Sequence, residues 1–246
     1  MKIIVEDVFN ECVRKVGGIC LDDALPDARD FYNADYLFED VNVVGELKCL
    51  EKDPLSDEIF TEKIQSLYDK WVRDGFLLSS NAGKVILNTR DLPENCAIEL
   101  LSLFKRQLET SYIKKANRQI RETKAYFDIP HAKGLLLLAN EGNYTLEPSV
   151  ILNLLHHVFN GGQYSEINQV ALFSSTIVSD VAGISRDAYY WIQPTIGKRE
   201  SVPADLLKSL SNEWGAALVK RKGDITSQIL VSKPTPDFID GVIHKK

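Results

Sequence analysis

Several features that would identify common protein classes are missing from this sequence. No run of about 18 apolar residues occurs, which argues against a membrane-spanning helix. Glu6 and Asp7 make the start of the chain acidic too early for a secretory signal peptide. The four cysteines include no Cys-x-x-Cys pair, so structural zinc is not expected. Their positions inside predicted helices and strands favour reduced thiols in a cytoplasmic protein.

Motifs of several enzyme classes are also missing. The sequence has no Gly-x-Ser-x-Gly nucleophile elbow, no phosphate-binding loop and no dinucleotide-binding fingerprint. Its four histidines lack metal-ligand spacing, and the adjacent His156 and His157 point to different sides of a predicted helix. Chemistry based on a serine elbow, a nucleotide loop or a histidine cluster is therefore not expected.

Composition and charge are those of a globular protein. Of the 246 residues, 44% are hydrophobic, enough for the core of a single domain spanning residues 1–246. The net charge of −6 argues against extensive electrostatic binding to nucleic acid. Basic residues nevertheless cluster at 105–106, 114–124 and 220–222. A solvated helix face is the usual explanation of such clusters.

The pattern of apolar residues predicts an α/β fold in which helices flank a central mixed β-sheet. Helical spacing or helix-boundary residues occur at about 3–16, 56–75, 94–127, 148–158 and 203–218. Strand-like runs occur at about 33–38, 41–50, 133–140, 167–174, 188–196 and 225–231. The strand, helix and strand from 133 to 174 predict a right-handed parallel crossover. Pro194 predicts that 188–196 is an edge strand.

Charged side chains occupy the middle of the second predicted strand. Side chains alternate between the two faces of a strand, so Glu46 and Lys48 point the same way, about 6.6 Å apart at roughly 3.3 Å per residue. Asp35 opens the preceding strand and is the third candidate for the same site. Charges in a buried strand are costly unless something compensates them. We therefore expect these three side chains to serve a function.

The order and spacing of these residues resemble those of the PD-(D/E)XK nuclease superfamily. Asp35 matches the Asp of the motif, residues 46–48 match its Glu-x-Lys element, and Ala34 stands where the motif often has proline. The resemblance implies a restriction-endonuclease-like core, formed here by about 1–50 and 97–200. A helical insertion, including a possible hairpin at 76–87, would occupy about 51–96.

The resemblance also implies a metal site and roles for its residues. Asp35, Glu46 and the carbonyl of Leu47 would bind Mg²⁺ or Mn²⁺, as hard oxygen ligands suit these ions. Lys48 would orient or activate the attacking water, or stabilise the charged transition state. A glutamate of the first helix, either Glu6 or Glu11, could join the site. A solvated glutamate is the alternative for each.

A polar residue lies on the inward stripe of the long helix predicted at 94–127. Helical geometry places Gln119 near the centre of this stripe and Thr123 at its edge. A buried glutamine must be hydrogen-bonded. Gln119 could reach the catalytic face, as a polar helix residue does in several branches of the superfamily. Alternatively, a backbone carbonyl could satisfy its amide.

The sequence therefore predicts a metal-dependent endonuclease that hydrolyses DNA, with Asp35, Glu46, Lys48 and Gln119 as its catalytic residues. One alternative is a catalytically inactive nuclease-like module with a binding or regulatory role, in which Glu46 and Lys48 form only an inward salt bridge. Cleavage of RNA is another, since the motif acts on the phosphate and not on the base. Nucleic acid is the expected partner. Many nucleases of this architecture are dimers, so a homodimer is an open alternative.

Overall fold

The computed structural model describes residues 4–26, 30–78, 92–141, 146–175, 177–181, 184–197, 199–222, 228–231 and 242–244. The helices in these ranges are α1 (Val5–Lys15), α2 (Leu21–Ala24), α3 (Glu58–Arg73), α4 (Glu94–Leu108), α5 (Lys114–Tyr126), α6 (Pro148–Phe159) and α7 (Ala204–Lys222). The strands are β1 (Ile19–Cys20), β2 (Tyr36–Phe38), β3 (Val43–Leu50), β4 (Lys133–Asn140), β5 (Gln169–Phe173), β6 (Ile177–Val181), β7 (Ile184–Ile192), β8 (Gln228–Val231) and β9 (Val242–His244).

The described strands form a mixed sheet in the order β1-β2-β3-β4-β5-β7-β6-β9, with β8 beside β7. Strands β3, β4 and β5 are parallel, whereas β2 pairs antiparallel with β3 and β7 pairs antiparallel with β5. The continuous apolar run at 134–139 makes β4 a fully buried central strand. The α/β prediction and the parallel connection of β4 to β5 through α6 are thus confirmed.

Helices cover both faces of the sheet because its strands present apolar side chains on each side. Val44 and Leu50 of β3 belong to the core cluster formed with α5 and α6. Val43 and Leu47 point the other way, into the cluster formed with α1 and α7. Glu46 and Lys48 follow the alternation of Val44, so they point toward the α5 side of the sheet.

Strand β7 departs from the sequence prediction. It pairs with β5, β6 and β8, so it is an interior strand and not an edge strand. The prediction was wrong because Pro194 lies two residues beyond the last residue of β7 and removes no hydrogen bond from the ladder.

The segment predicted as one long helix contains a change of helix type. A five-residue π-helical turn, Glu109–Ile113, connects α4 and α5 without a break in helical backbone. Helices α3 and α4 pack around Trp71 in a small separate apolar cluster. Most of the hairpin predicted at 76–87 lies outside the described residues.

Two further expectations concern membranes and cysteines. In the part of the chain that the structure describes, no helix combines the length and apolar character needed to cross a membrane. All four cysteines are free thiols, and Cys12, Cys20 and Cys96 are buried while Cys49 is partly buried.

Candidate active site

The hairpin of β2 and β3 brings Asp35 and Glu46 to facing positions. Tyr36 pairs with Gly45 in the antiparallel register, so Asp35 lies across from Glu46 one residue further along. A short 3-10 turn connects the strands and ends at Asn42, whose φ of 53° is in the left-handed region that asparagine tolerates. This tight connection fixes the register that sets the two acids opposite each other.

Glu46 and Lys48 form an ion pair inside the sheet. The Glu46 side chain is 0% exposed, and Lys48 Nζ donates a hydrogen bond to its Oε1 atom. The other carboxylate oxygen, Oε2, is buried without a hydrogen-bond partner among the described atoms. The Lys48 side chain retains 20% exposure, so it lies between the buried acid and solvent. The two side chains therefore share one face, as strand alternation predicts.

The two carboxyl groups of this site hold their protons more tightly than usual. Burial, followed by the charge of Asp35, raises the pKa of Glu46 well above its usual range, although Lys48 opposes the shift. Burial also raises the pKa of Asp35 to about 6, against the lowering effects of the Leu47 N–H and of Lys48. A nearby cation favours the charged form of a carboxyl group. A divalent ion would thus lower both pKa values.

The backbone of Leu47 holds the Asp35 carboxylate in place. The N–H of Leu47 donates to Asp35 Oδ2 at 2.6 Å. In a strand the N–H and C=O of one residue point to the same edge. The Leu47 carbonyl, which the sequence suggests as a metal ligand, therefore faces the edge of β3 beside Asp35.

Two polar residues of α5 anchor the segment that leads into Asp35. Gln119 Nε2 donates to the carbonyl of Asn33 at 2.9 Å, and Thr123 Oγ1 accepts from the N–H of Ala34 at 2.7 Å. This contact agrees with the second interpretation of Gln119, in which a backbone carbonyl satisfies its side-chain amide. The sequence pattern placed Thr123 at the edge of the stripe but did not predict its hydrogen bond to the backbone of Ala34. Its spacing of four residues from Gln119 was a signal that both side chains lie on one side of the helix.

The two glutamates of α1 lie in different surroundings. Glu11 accepts a hydrogen bond from Arg221 of α7 at 2.5 Å, and this contact holds the pKa of Glu11 below its usual range. The charge of Glu6 contributes to the raised pKa of Asp35. Glu6 is therefore the first-helix glutamate whose charge acts on the site.

The residues at this site fit a divalent metal ion in part. Glu46 Oε2 is a buried oxygen that lacks a partner among the described atoms, and Asp35 supplies a second hard oxygen donor. Among the described residues, no group of three or more His, Cys, Asp and Glu side chains could hold a metal. Magnesium usually keeps several waters and binds through one or two carboxylates. The donor set thus suits Mg²⁺ or Mn²⁺ better than zinc, which usually takes three or four protein ligands.

A cavity of about 640 Å³ opens at the carboxyl end of β3. Its walls come from residues 50–57, from α4 and from the π-helical turn, and they include Phe104 and Tyr112. Burial, followed by the charge of Glu51, raises the pKa of Tyr112. The cavity begins at Leu50, two residues after Lys48 along β3, and its walls include neither Lys48 nor Glu46.

Comparison of this chain with protein-family models, with curated proteins and with solved structures finds no match.

Proposed function

We propose that this protein is a metal-dependent nuclease of the PD-(D/E)XK type that hydrolyses phosphodiester bonds in DNA. The observation that carries the proposal is the buried Glu46 carboxylate, which has one oxygen on Lys48, one oxygen without a partner among the described atoms, and the Asp35 carboxylate across the hairpin. An ion pair with a second acid beside it is a poor source of stability. The arrangement is better explained as a site for a cation.

Each residue has a distinct role in the proposed reaction. Asp35 and Glu46, with the Leu47 carbonyl, would hold Mg²⁺ or Mn²⁺. The bound ion supplies charge neutralisation at the phosphoryl oxygens and a water with a lowered pKa. Lys48 Nζ, partly exposed beside Glu46, donates hydrogen bonds to the attacking water or to the developing negative charge. Gln119 is a positioning residue, because its amide holds the backbone two residues before Asp35.

The raised pKa values of both acids support this assignment. Active sites are where burial and like charges combine to shift the pKa values of ionisable groups. Here both causes act on Glu46, and Glu6 adds a further negative charge near Asp35. A cation would relieve the repulsion among the three acids, so metal binding would stabilise the folded protein.

One observation favours the alternative of a nuclease-like module without catalytic activity. Lys48 Nζ already bonds to Glu46, so the pair could remain closed as an internal salt bridge. In that case the protein would bind or regulate a partner and would not turn over nucleic acid. Activity and metal binding distinguish the two functions.

The experiment measures cleavage and metal binding in the same preparations. Single-stranded, double-stranded and branched DNA, and RNA, are incubated with Mg²⁺, Mn²⁺ or EDTA. We expect metal-dependent cleavage of DNA that falls about 100-fold or more in Asp35→Asn and Lys48→Met. The exposed turn residue Asp40, changed to Asn, is the matched control and should retain activity. Unchanged cleavage in Asp35→Asn or Lys48→Met would remove that residue from the mechanism.

Thermal unfolding in increasing Mn²⁺ completes the comparison. The wild type should gain stability and Glu46→Gln should not, because only the wild type keeps the carboxylate that would bind the ion. Stabilisation without cleavage of any substrate would favour the inactive module. Equal responses of wild type and variant would show that Glu46 is not a metal ligand.

A further inference from the structure

Two exposed aromatic contacts join the segment before Asp35 to helix α5. The rings of Phe31 and Tyr126 stack with centroids 4.5 Å apart and planes inclined by 19°. The guanidinium carbon of Arg118 lies 4.3 Å from the centroid of the Tyr32 ring. Tyr32 is 61% exposed and Tyr126 is 54% exposed. A large aromatic area therefore faces solvent close to the proposed catalytic residues.

The same part of α5 is rich in exposed cations. Lys114, Arg118 and Arg121 fall within about 60° of one another on the helix, at 100° per residue. Lys115 is also exposed on this helix. The nearest acid on the helix is Glu122, which pairs with Arg118 at 2.6 Å. On helix α5 these four cations outnumber Glu122, although the whole chain has a net charge of −6.

This surface is tied to the candidate active site by short connections. Tyr32 precedes Asp35 by three residues, a separation of at most about 11 Å along extended chain. Gln119 and Thr123, on the same helix as the cations, bond the two residues that lie between Tyr32 and Asp35. The aromatic rings and the carboxylates are thus held in a fixed relation.

We infer that Phe31, Tyr32, Arg118, Arg121 and Tyr126, with Lys114 and Lys115, form an aromatic-basic face that binds single-stranded nucleic acid. Bases stack on the exposed rings while the cations contact phosphates, which is how proteins bind single strands without sequence preference. The nucleic acid strand then reaches Asp35 within a few nucleotides, because Tyr32 and Asp35 are at most about 11 Å apart along the polypeptide. A duplex offers no open base faces along its length. This inference rests on the proposed nuclease function and names its substrate class.

Binding measured in EDTA separates this inference from catalysis. Fluorescence anisotropy follows a labelled 20-nucleotide oligothymidine and a duplex of the same length. We expect the single strand to bind more tightly than the duplex, and Tyr32→Ala/Tyr126→Ala, which removes two stacking rings, to lose about 30-fold or more in affinity for the single strand. Tyr32→Phe/Tyr126→Phe keeps the rings and should bind as the wild type does. Circular dichroism verifies that each variant is folded.

Salt dependence tests the cations without disturbing the stacked pairs. Lys114→Gln/Arg121→Gln should reduce the slope of log affinity against log salt by about 1.4, or about 0.7 for each lost phosphate contact. Arg73→Gln/Lys208→Gln removes two exposed cations from α3 and α7 and should leave the slope unchanged.

Four results would overturn the inference. They are no binding of the single strand, equal or tighter binding of the duplex, wild-type affinity in the folded double alanine variant, and an unchanged salt slope in Lys114→Gln/Arg121→Gln. Cleavage of duplex DNA without single-strand binding would refute this inference and leave the nuclease proposal standing. Single-strand binding without metal-dependent cleavage would refute the nuclease proposal and leave this inference standing.

Discussion

Replacing Asp35 by asparagine should make the metal-free protein more stable at neutral pH. The folded-state pKa of Asp35 is raised from its usual 3.8 to about 6, so the native state binds more protons than the unfolded chain between these values. Stability then falls as pH rises through this window, because the native acid loses its proton less readily than the unfolded one. Asparagine does not ionise, so the variant does not lose this stability as pH rises. Its side-chain carbonyl oxygen can still accept a hydrogen bond from the Leu47 N–H.

The magnitude follows from the size of the pKa shift. One pKa unit corresponds to about 1.4 kcal/mol, so a rise of about two units corresponds to about 3 kcal/mol at most. Because Asp35 is only partly buried, solvent screening reduces this figure, and we expect about 1 to 3 kcal/mol. Removing the Asp35 charge also lowers the pKa of Glu46, which acts in the same direction.

Urea unfolding in EDTA at several pH values from 4 to 7.5 measures this effect. The free energy of unfolding of Asp35→Asn, minus that of the wild type, should increase by about 1 to 3 kcal/mol over this range. Asp40→Asn removes an exposed carboxylate from the same hairpin, and its free energy of unfolding should change with pH as that of the wild type does. If the stability of Asp35→Asn also changed with pH as that of the wild type does, or if this variant became the less stable protein as pH rose, burial would not raise the pKa of Asp35 in the folded protein.

Two further changes test the support of the site and of the sheet. Thr123→Val should lower the free energy of unfolding by about 1 to 3 kcal/mol in urea unfolding, because the buried N–H of Ala34 loses its acceptor, whereas Thr123→Ser keeps that acceptor and most of the stability. Gly134→Ala should cost about 2 to 3 kcal/mol in the same assay, because its methyl group would lie 1.9 Å from the carbonyl oxygen of Glu166. Gly161→Ala, where the methyl meets no described atom within 4 Å, should cause no loss. Equal free energies of unfolding in Thr123→Val and Thr123→Ser would contradict the hydrogen bond between Ala34 and Thr123. Equal values in Gly134→Ala and Gly161→Ala would contradict the close approach of Glu166 to Gly134.

Much of the fold could be predicted because its strands and helices carry strong local patterns. The continuous apolar run of β4 gave the bounds of that strand correctly, and the spacing of strand, helix and strand gave the parallel crossover. The π-helical turn could not be predicted, because the residues around it have ordinary helical spacing. The interior position of β7 was missed because strand order depends on contacts between distant parts of the chain.

The candidate site was predictable to the extent that it depends on strand geometry. Alternation along β3 places Glu46 and Lys48 on one face, and their hydrogen bond agrees with that prediction. The nearness of Asp35 depends on the register of a hairpin, which could be predicted only from the resemblance to the nuclease motif. The choice between Glu6 and Glu11 depends on the packing of α7, because Arg221 of that helix forms a hydrogen bond with Glu11. No local sequence pattern predicts that contact.

The π-helical turn between α4 and α5 sets the phase of the second helix relative to the first. Each residue added to or removed from a helix rotates everything beyond it by about 100°. A π-helical turn holds one residue more than an α-helical turn, so deleting one residue from Glu109–Ile113 would let it close as α-helix with Gln119 and Thr123 still facing the backbone they hold. A deletion in the regular turns of α5 before Gln119 would instead rotate both side chains by about 100°. The π-helical turn is therefore the place where the chain between the cavity wall on α4 and the helix that anchors Asp35 can lose one residue without a change of helical phase.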